Sequence, residues 1–183
     1  MIEDIQTQKI PGATGAQTNV KTQWPTFGWI RANVHRFFAF GLGSGLIRPG
    51  PGTWGTVLAW VLWWPLSFVL GTDFYMALFI LASFAYGVYC CHRVAQEMQV
   101  DDHGGIVWDE MVAFWAVLLL VAPMNLGWQL VAFILFRFFD IVKPPPIGYF
   151  DRTLKNGFGV MWDDVVAAAY TLFIMAIATR MLG

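Results

Sequence analysis

Residues 54–70, WGTVLAWVLWWPLSFVL, and residues 74–91, FYMALFILASFAYGVYCC, contain no charged side chain. A bilayer core about 30 Å thick takes roughly 20 helical residues to cross, so each run is long enough to be a span. Gly71, Thr72 and Asp73 between them make a tight turn, and the pair reads as a helical hairpin. Pro65 predicts a kink rather than an end, because membrane helices re-satisfy the backbone group that proline frees.

The rest of the chain agrees with lipid as the solvent. Of 183 residues, 57% are hydrophobic and 13% charged, where soluble domains have about 45–50% and about 25%. A chain this short has too little interior to hide that surplus from water. A net charge of −1 supplies no basic field for nucleic acid. Cys90 and Cys91 are adjacent within an apolar run, which suits neither a disulfide framework nor spaced zinc ligands; they read as packing residues. Residues 1–26 are polar and lack the apolar core of a signal peptide. They are expected to form a flexible cytoplasmic tail, followed by one membrane-embedded domain over 27–183. From Phe27 to Phe40 aromatics alternate with Arg31, Asn33, His35 and Arg36. That pattern fits an amphipathic helix lying in the membrane interface, and equally one covering the end of the bundle.

Beyond the hairpin, charged residues enter the spans. Met111–Phe136 is uncharged but too long for one span, and Pro123, Asn125 and Gly127 divide it into a second hairpin. Each half reaches span length only by including its charged end. The third span then starts near Ile106 and contains Asp109 and Glu110; the fourth runs to about Lys143 and contains Arg137 and Asp140. The last has 15 uncharged residues, Val165–Thr179, and so takes in Asp163 and Asp164. The expected fold is an all-α integral membrane protein with about five transmembrane helices and an N-terminal interfacial amphipathic helix. Arg36, Arg48, Arg93, Lys143, Arg152 and Lys155 fall on one side and Arg180 on the other, which places the N-terminus in the cytoplasm and the C-terminus across the membrane. Trp54, Trp108, Trp128 and Trp162 lie near span ends and are expected to anchor them at the interface.

This arithmetic puts Asp109, Glu110, Asp140, Asp163 and Asp164 at one depth, just inside the cytoplasmic boundary. Acids near helix N-termini gain from the helix dipole, by about 0.3–1 kcal/mol, but Asp140 sits near a C-terminus where the dipole opposes it. Pairing of Arg137 with Asp140, three residues on, is a second structural explanation. Neither explains five acids at one level, which repel each other unless a cation or protons neutralise them. Hard carboxylates without neighbouring Cys or paired His favour Mg²⁺ over zinc or copper. Arg48, Arg137, Lys143 and Arg152, at the same level with Lys155, are candidates to hold a phosphate, so the site suits a phosphorylated lipid headgroup at the bilayer surface. Intramembrane acids also mark ion pathways, but the outer halves of these spans are apolar.

Residues 41–56, GLGSGLIRPGPGTWGT, lead into the first span. Gly50 to Gly55 match the letters of a dinucleotide loop, but no strand precedes them. Thr53 is a candidate N-cap, and the loop serves either as an anion site at a helix start or as close packing. His103, in Asp101-Asp102-His103-Gly104-Gly105, reads as a loop residue rather than a catalytic one.

Four blocks in order and spacing resemble the phosphatidylglycerophosphatase A family of bacterial lipid phosphatases: GLGSGLIRPGPGTWGT (41–56), DDHGGIVWDEMVAFW (101–115), FRFFDIVKPPPIGYFDR (136–152) and NGFGVMWDDVVAA (156–168). The resemblance covers about residues 35–170. It implies Mg²⁺-dependent removal of the terminal phosphate of phosphatidylglycerophosphate at the bacterial inner membrane. Carried over by motif, its acids are the five above. Asp109, Glu110, Asp140 and Asp164 are then the catalytic candidates, Glu110, Asp140, Asp163 and Asp164 the metal candidates, and Arg48, Thr53, Arg137, Lys143 and Arg152 the substrate contacts. Whether water or a carboxylate attacks the phosphate stays open. Ala113 and Ala168 stand where the family pattern has glycine, and neither change removes a ligand.

Overall fold

The computed structural model describes residues 24–100, 102–121, 125–153 and 156–182. Every regular element among them is helical, and the chain begins with two short helices, α1 (Phe27–Arg31) and α2 (Val34–Ala39). The expected single helix over 27–40 is therefore interrupted: Asn33 is extended, at φ −139° and ψ 138°. This segment packs onto the end of the bundle. Glu97, on the fourth helix, accepts from Arg36 Nε at 2.6 Å and lies 2.8 Å from His35 Nε2, while the Arg36 guanidinium stacks 4.1 Å over the Trp29 ring. Residues 1–23 of the expected tail lie outside the described residues, but Trp24 lies under Arg48 and against His103.

A 3-10 turn over Gly41–Leu46 leads to α3 (Pro51–Leu70). The helix starts earlier than expected. Gly50 is the N-cap in the left-handed region at φ 71°, and Pro51 follows, a position where proline's missing N–H costs nothing. Thr53 therefore sits inside the first turn and does not cap it. Pro65 leaves α3 continuous to Gly71, whose φ of 69° closes the helix. Thr72 then accepts from Tyr75 N and opens α4 (Asp73–Met98). The second hairpin is α5 (Trp108–Val121) and α6 (Leu126–Val142), the latter capped by the Asn125 side chain; Pro123 lies outside the described residues. Three prolines, 144–146, follow Lys143 and prevent α6 from continuing. A short α7 (Ile147–Thr153) precedes α8 (Gly157–Leu182).

Three of these helices, α3, α4 and α8, are long and apolar enough to cross a membrane. Their outer faces carry exposed apolar side chains, such as Phe68 at 89% and Val69 at 76% exposure on α3. Such a surface suits lipid and not water. By contrast, α5 has 14 residues and α6 has 17, or about 21 and 25 Å at about 1.5 Å per residue. What α5 lacks in length it makes up in enclosure. It packs against α3, α4, α6 and α8, burying Met111, Phe114, Trp115 and Leu118. Indole N–H groups tie this core: Trp115 donates to Ala59 O at 2.8 Å and Trp108 to Ser83 O at 3.1 Å. Trp108 is thus a core residue, 4% exposed, and not the interface anchor that its place near a span end suggested.

Where α8 starts, its backbone meets α4 directly. A Cβ on Gly157 would collide with Val88 O and lie 2.7 Å from His92 N, both backbone atoms that cannot swing aside. Gly157→Ala is expected to destabilise the bundle by about 1–3 kcal/mol, the usual range for overpacking. Thermal unfolding of the purified variant in detergent checks this, and Gly104→Ala, which meets open space, is the control.

Candidate active site

The acids lie where four helices meet. Asp109 and Glu110 are in the first turn of α5, Asp140 is in the last turn of α6, and Asp163 and Asp164 follow the first turn of α8. The start of α5 is fixed from outside the helix: Val107 N donates to Ala39 O at 3.0 Å and Ile106 N to His103 O at 2.8 Å. His103 Nδ1 in turn accepts from Gly105 N at 3.1 Å, and the ring is 2% exposed. Its role in this geometry is to shape the loop that delivers α5.

The five acids divide into two kinds. Asp109, Glu110 and Asp164 each offer one carboxylate oxygen to a space in which all three atoms lie within 4.8 Å of one another. Asp109 Oδ1, Glu110 Oε2 and Asp164 Oδ1 are buried without a hydrogen-bond partner. Asp140 is close enough to interact with both Glu110 and Asp164, but one of its oxygens is held by Arg137 Nη1 at 2.6 Å. Asp163 is outside this group of three. Its Oδ2 binds Lys143 Nζ at 2.6 Å and its Oδ1 accepts from the Asp164 backbone N–H at 3.2 Å. Of the expected metal set, Glu110 and Asp164 lie in this group with Asp109, Asp140 interacts with both of them, and Asp163 binds Lys143.

The expected phosphate contacts are also distributed unevenly. Arg137 is at the cluster, 3.5 Å from Glu110 Oε1, and its Nε is buried and unpartnered. Lys143 ends α6 in the left-handed region at φ 47°, which turns its side chain toward Asp163. Thr53 is half-buried on the first turn of α3. Arg48 is exposed and stacks 3.9 Å over Trp24. Arg152 is on α7, and its side chain lies outside the described residues.

Two contributors escaped the sequence reading. Gly52, at the second position of α3, lies so close to the cluster that a Cβ there would collide with Glu110 Oε1 and come within 2.9 Å of Arg137 Nη2. One turn later, Thr56 lies 3.4 Å from Arg137 Nη1. Their spacing of four, which puts both on one helix face, was visible in Gly50-Pro-Gly-Thr-Trp-Gly-Thr56. Nothing in the sequence says that this face meets Glu110.

Three oxygen donors with unpaired lone pairs suit a hard divalent cation better than a soft one. Without a cation, three carboxylates so near each other in a buried space repel strongly. The residues present therefore fit a hard divalent cation such as Mg²⁺, which where bound would polarise a phosphate or activate water.

Comparison with known proteins bears on the family. The profile of the family described as Phosphatidylglycerophosphatase A matches residues 37–179. A phosphatidylglycerophosphatase A from Haemophilus influenzae is 46% identical over 143 residues, covering 78% of this chain and 87% of the relative. One from Escherichia coli K12 is 38% identical over 144 residues, covering 79% and 83%. A Bacteroides thetaiotaomicron protein provisionally named a phosphatidylinositol-3-phosphatase is 38% identical over 150 residues, covering 78% and 92%. No solved structure matches the chain. With all four sequence blocks inside the matched region and most of its length shared with these relatives, the chain belongs to the phosphatidylglycerophosphatase A family.

Proposed function

We propose that this phosphatase hydrolyses the terminal phosphate of phosphatidylglycerophosphate with Mg²⁺ at the cytoplasmic face of the bacterial inner membrane, releasing phosphatidylglycerol and inorganic phosphate. The observation that carries the reading is the trio of buried, unpartnered carboxylate oxygens on Asp109, Glu110 and Asp164. When bound, Mg²⁺ supplies Lewis-acid polarisation of the phosphate and offsets its negative charge. Glu110 and Asp164, the two of the trio that also interact with Asp140, would hold it. Asp109 orients the attacking water and takes its proton. Water oxygen bonds to phosphorus as the bond to the glycerol oxygen breaks, and the proton passes to that leaving oxygen. Arg137, with Nε free of partners, attracts the phosphate. Lys143, Arg48 and Arg152 contribute positive charge around the headgroup, and Thr53 supplies a hydroxyl to it.

Five spans follow if α5 and α6 cross as a hairpin inside the bundle, their short lengths made up by the loops that flank them. The N-terminus then faces the cytoplasm and the C-terminus the periplasm. An accessible cysteine introduced as Arg180→Cys, with Cys90 and Cys91 replaced by alanine, is expected to react with a membrane-impermeant maleimide added outside spheroplasts. Labelling only after the membrane is broken contradicts this orientation.

A second lipid phosphomonoester as substrate is the reading that the Bacteroides relative favours, since its name specifies a phosphoinositide. A cation pathway is disfavoured, because the buried acids among the described residues, Asp109, Asp163 and Asp164, all lie at one end of the bundle.

Purified protein is expected to release phosphate from phosphatidylglycerophosphate in Mg²⁺ and to stop in EDTA, measured by phosphate assay in detergent. Release of equal rate in EDTA sinks the cation role, and faster release from phosphatidylinositol 3-phosphate sinks the substrate assignment. Within the site, Asp109→Asn, Glu110→Gln and Asp164→Asn are each expected to lower kcat by roughly 10²-fold or more. Asp163→Asn should instead raise KM for the lipid, because it removes the carboxylate that positions Lys143 and leaves the trio intact. Equal kcat losses in all four variants would contradict the division of the acids.

A further inference from the structure

We propose that Thr56 is a positioning residue for the cation site, acting through Arg137 to keep Glu110 available as a ligand. The inference rests on the cation site proposed above. Thr56 is fully buried, and its hydroxyl donates to Gly52 O, four residues back, at 2.8 Å. That bond uses the hydroxyl proton and leaves its oxygen lone pairs for an outside donor. The donor is Arg137 Nη1 at 3.4 Å. The same nitrogen touches Asp140 Oδ2 at 2.6 Å and Glu110 Oε1 at 3.5 Å, so three acceptors on three helices compete for one guanidinium corner.

The balance among these acceptors sets what Glu110 can do. Arg137 is drawn to Asp140 by its own helix, three residues apart, and to Thr56 by α3. Both pulls keep it from closing fully on Glu110, whose other oxygen is buried and unpartnered. Removing the hydroxyl leaves the guanidinium with only carboxylates to satisfy it. Its shortest remedy is to tighten on Glu110, neutralising the charge that a cation would need. Gly52 supports the arrangement from beneath, since its missing side chain lets the α3 backbone, and Thr56 with it, come this close.

The chemistry of two substitutions separates this role from packing. Thr56→Val keeps the shape and loses the acceptor, whereas Thr56→Ser keeps the acceptor and loses the methyl group. The direct readout is Mn²⁺ binding by electron paramagnetic resonance, with Mn²⁺ as an oxygen-seeking stand-in for Mg²⁺, alongside kcat and KM for phosphate release. The expected result is Mn²⁺ affinity lowered about tenfold in T56V, the size expected for one hydrogen bond to a charged group. The Mg²⁺ needed for half-maximal rate rises in step, and T56S stays close to wild type. Wild-type affinity in T56V, or T56S impaired as much as T56V, overturns the proposal. If T56V does not fold, T56A against T56S makes the same comparison, because those two differ by the hydroxyl alone. Wild-type protein that binds Mn²⁺ but releases no phosphate from the lipid would sink the proposed reaction and leave the positioning test standing. Wild-type protein that binds no Mn²⁺ would sink both.

Discussion

Mutual repulsion among the carboxylates of Asp109, Glu110 and Asp164 is the condition that the surrounding structure has to manage. Like charges with facing oxygens within 4.8 Å do not stay together in a poorly hydrated interior unless their backbones are fixed. The fold supplies that fixity with packing remote from the charges. Trp115 is bonded to Ala59 and Trp108 to Ser83, so α5 is tied to α3 and α4 by indole hydrogen bonds on its buried face. The close contact of Gly157 with the α4 backbone does the same for α8. Arg137 and Lys143 then bond the two remaining acids, Asp140 and Asp163.

That division gives the cluster its chemistry. A carboxylate already bonded to arginine or lysine is a poor cation ligand, because its negative charge is largely used. An unpaired one in a buried space is a strong ligand for the same reason that it is costly to leave bare. At the proposed cation site Arg137 and Lys143 would act as selectors, drawing on the charge of Asp140 and Asp163. The arrangement of α3 adds a neutral selector, since Gly52 and Thr56 put a backbone and a hydroxyl where a side chain or a further charge would otherwise be.

Much of the helical plan was legible in the sequence, and for a simple reason. The hairpin of residues 54–91 could be read because lipid demands uncharged runs of known length, and turns such as Gly71-Thr72-Asp73 interrupt them sharply. Span arithmetic also put five acids at one end, because depth along a helix is a count of residues. Rotation about the helix axes was not legible. Whether Asp163 or Asp109 joins the trio depends on which way each helix is turned against its neighbours, and adjacent acids point about 100° apart. The same limit hid the burial of Trp108, whose place near a span end looked interfacial although its ring points into the core. At Phe27–Phe40 the periodicity ran through Asn33 unbroken, while the ion pair of Arg36 and Glu97 joins residues 61 apart, a separation that no local pattern reports.

The enclosure of α5 has a consequence for how the protein is made. In the five-span arrangement, a helix of 14 residues that opens with two acids is a poor candidate to leave the translocation channel for lipid by itself, since charged groups and short length both oppose partitioning. It has to wait for company. With α3 and α4 already inserted as a hairpin, α5 can enter against protein rather than acyl chains, paired with α6 as it emerges. In that proposed arrangement the acids would reach their final depth only when their neighbours have arrived, and assembly of the candidate site would be a late event of biogenesis, tied to completion of the bundle rather than to the order in which the residues are synthesised.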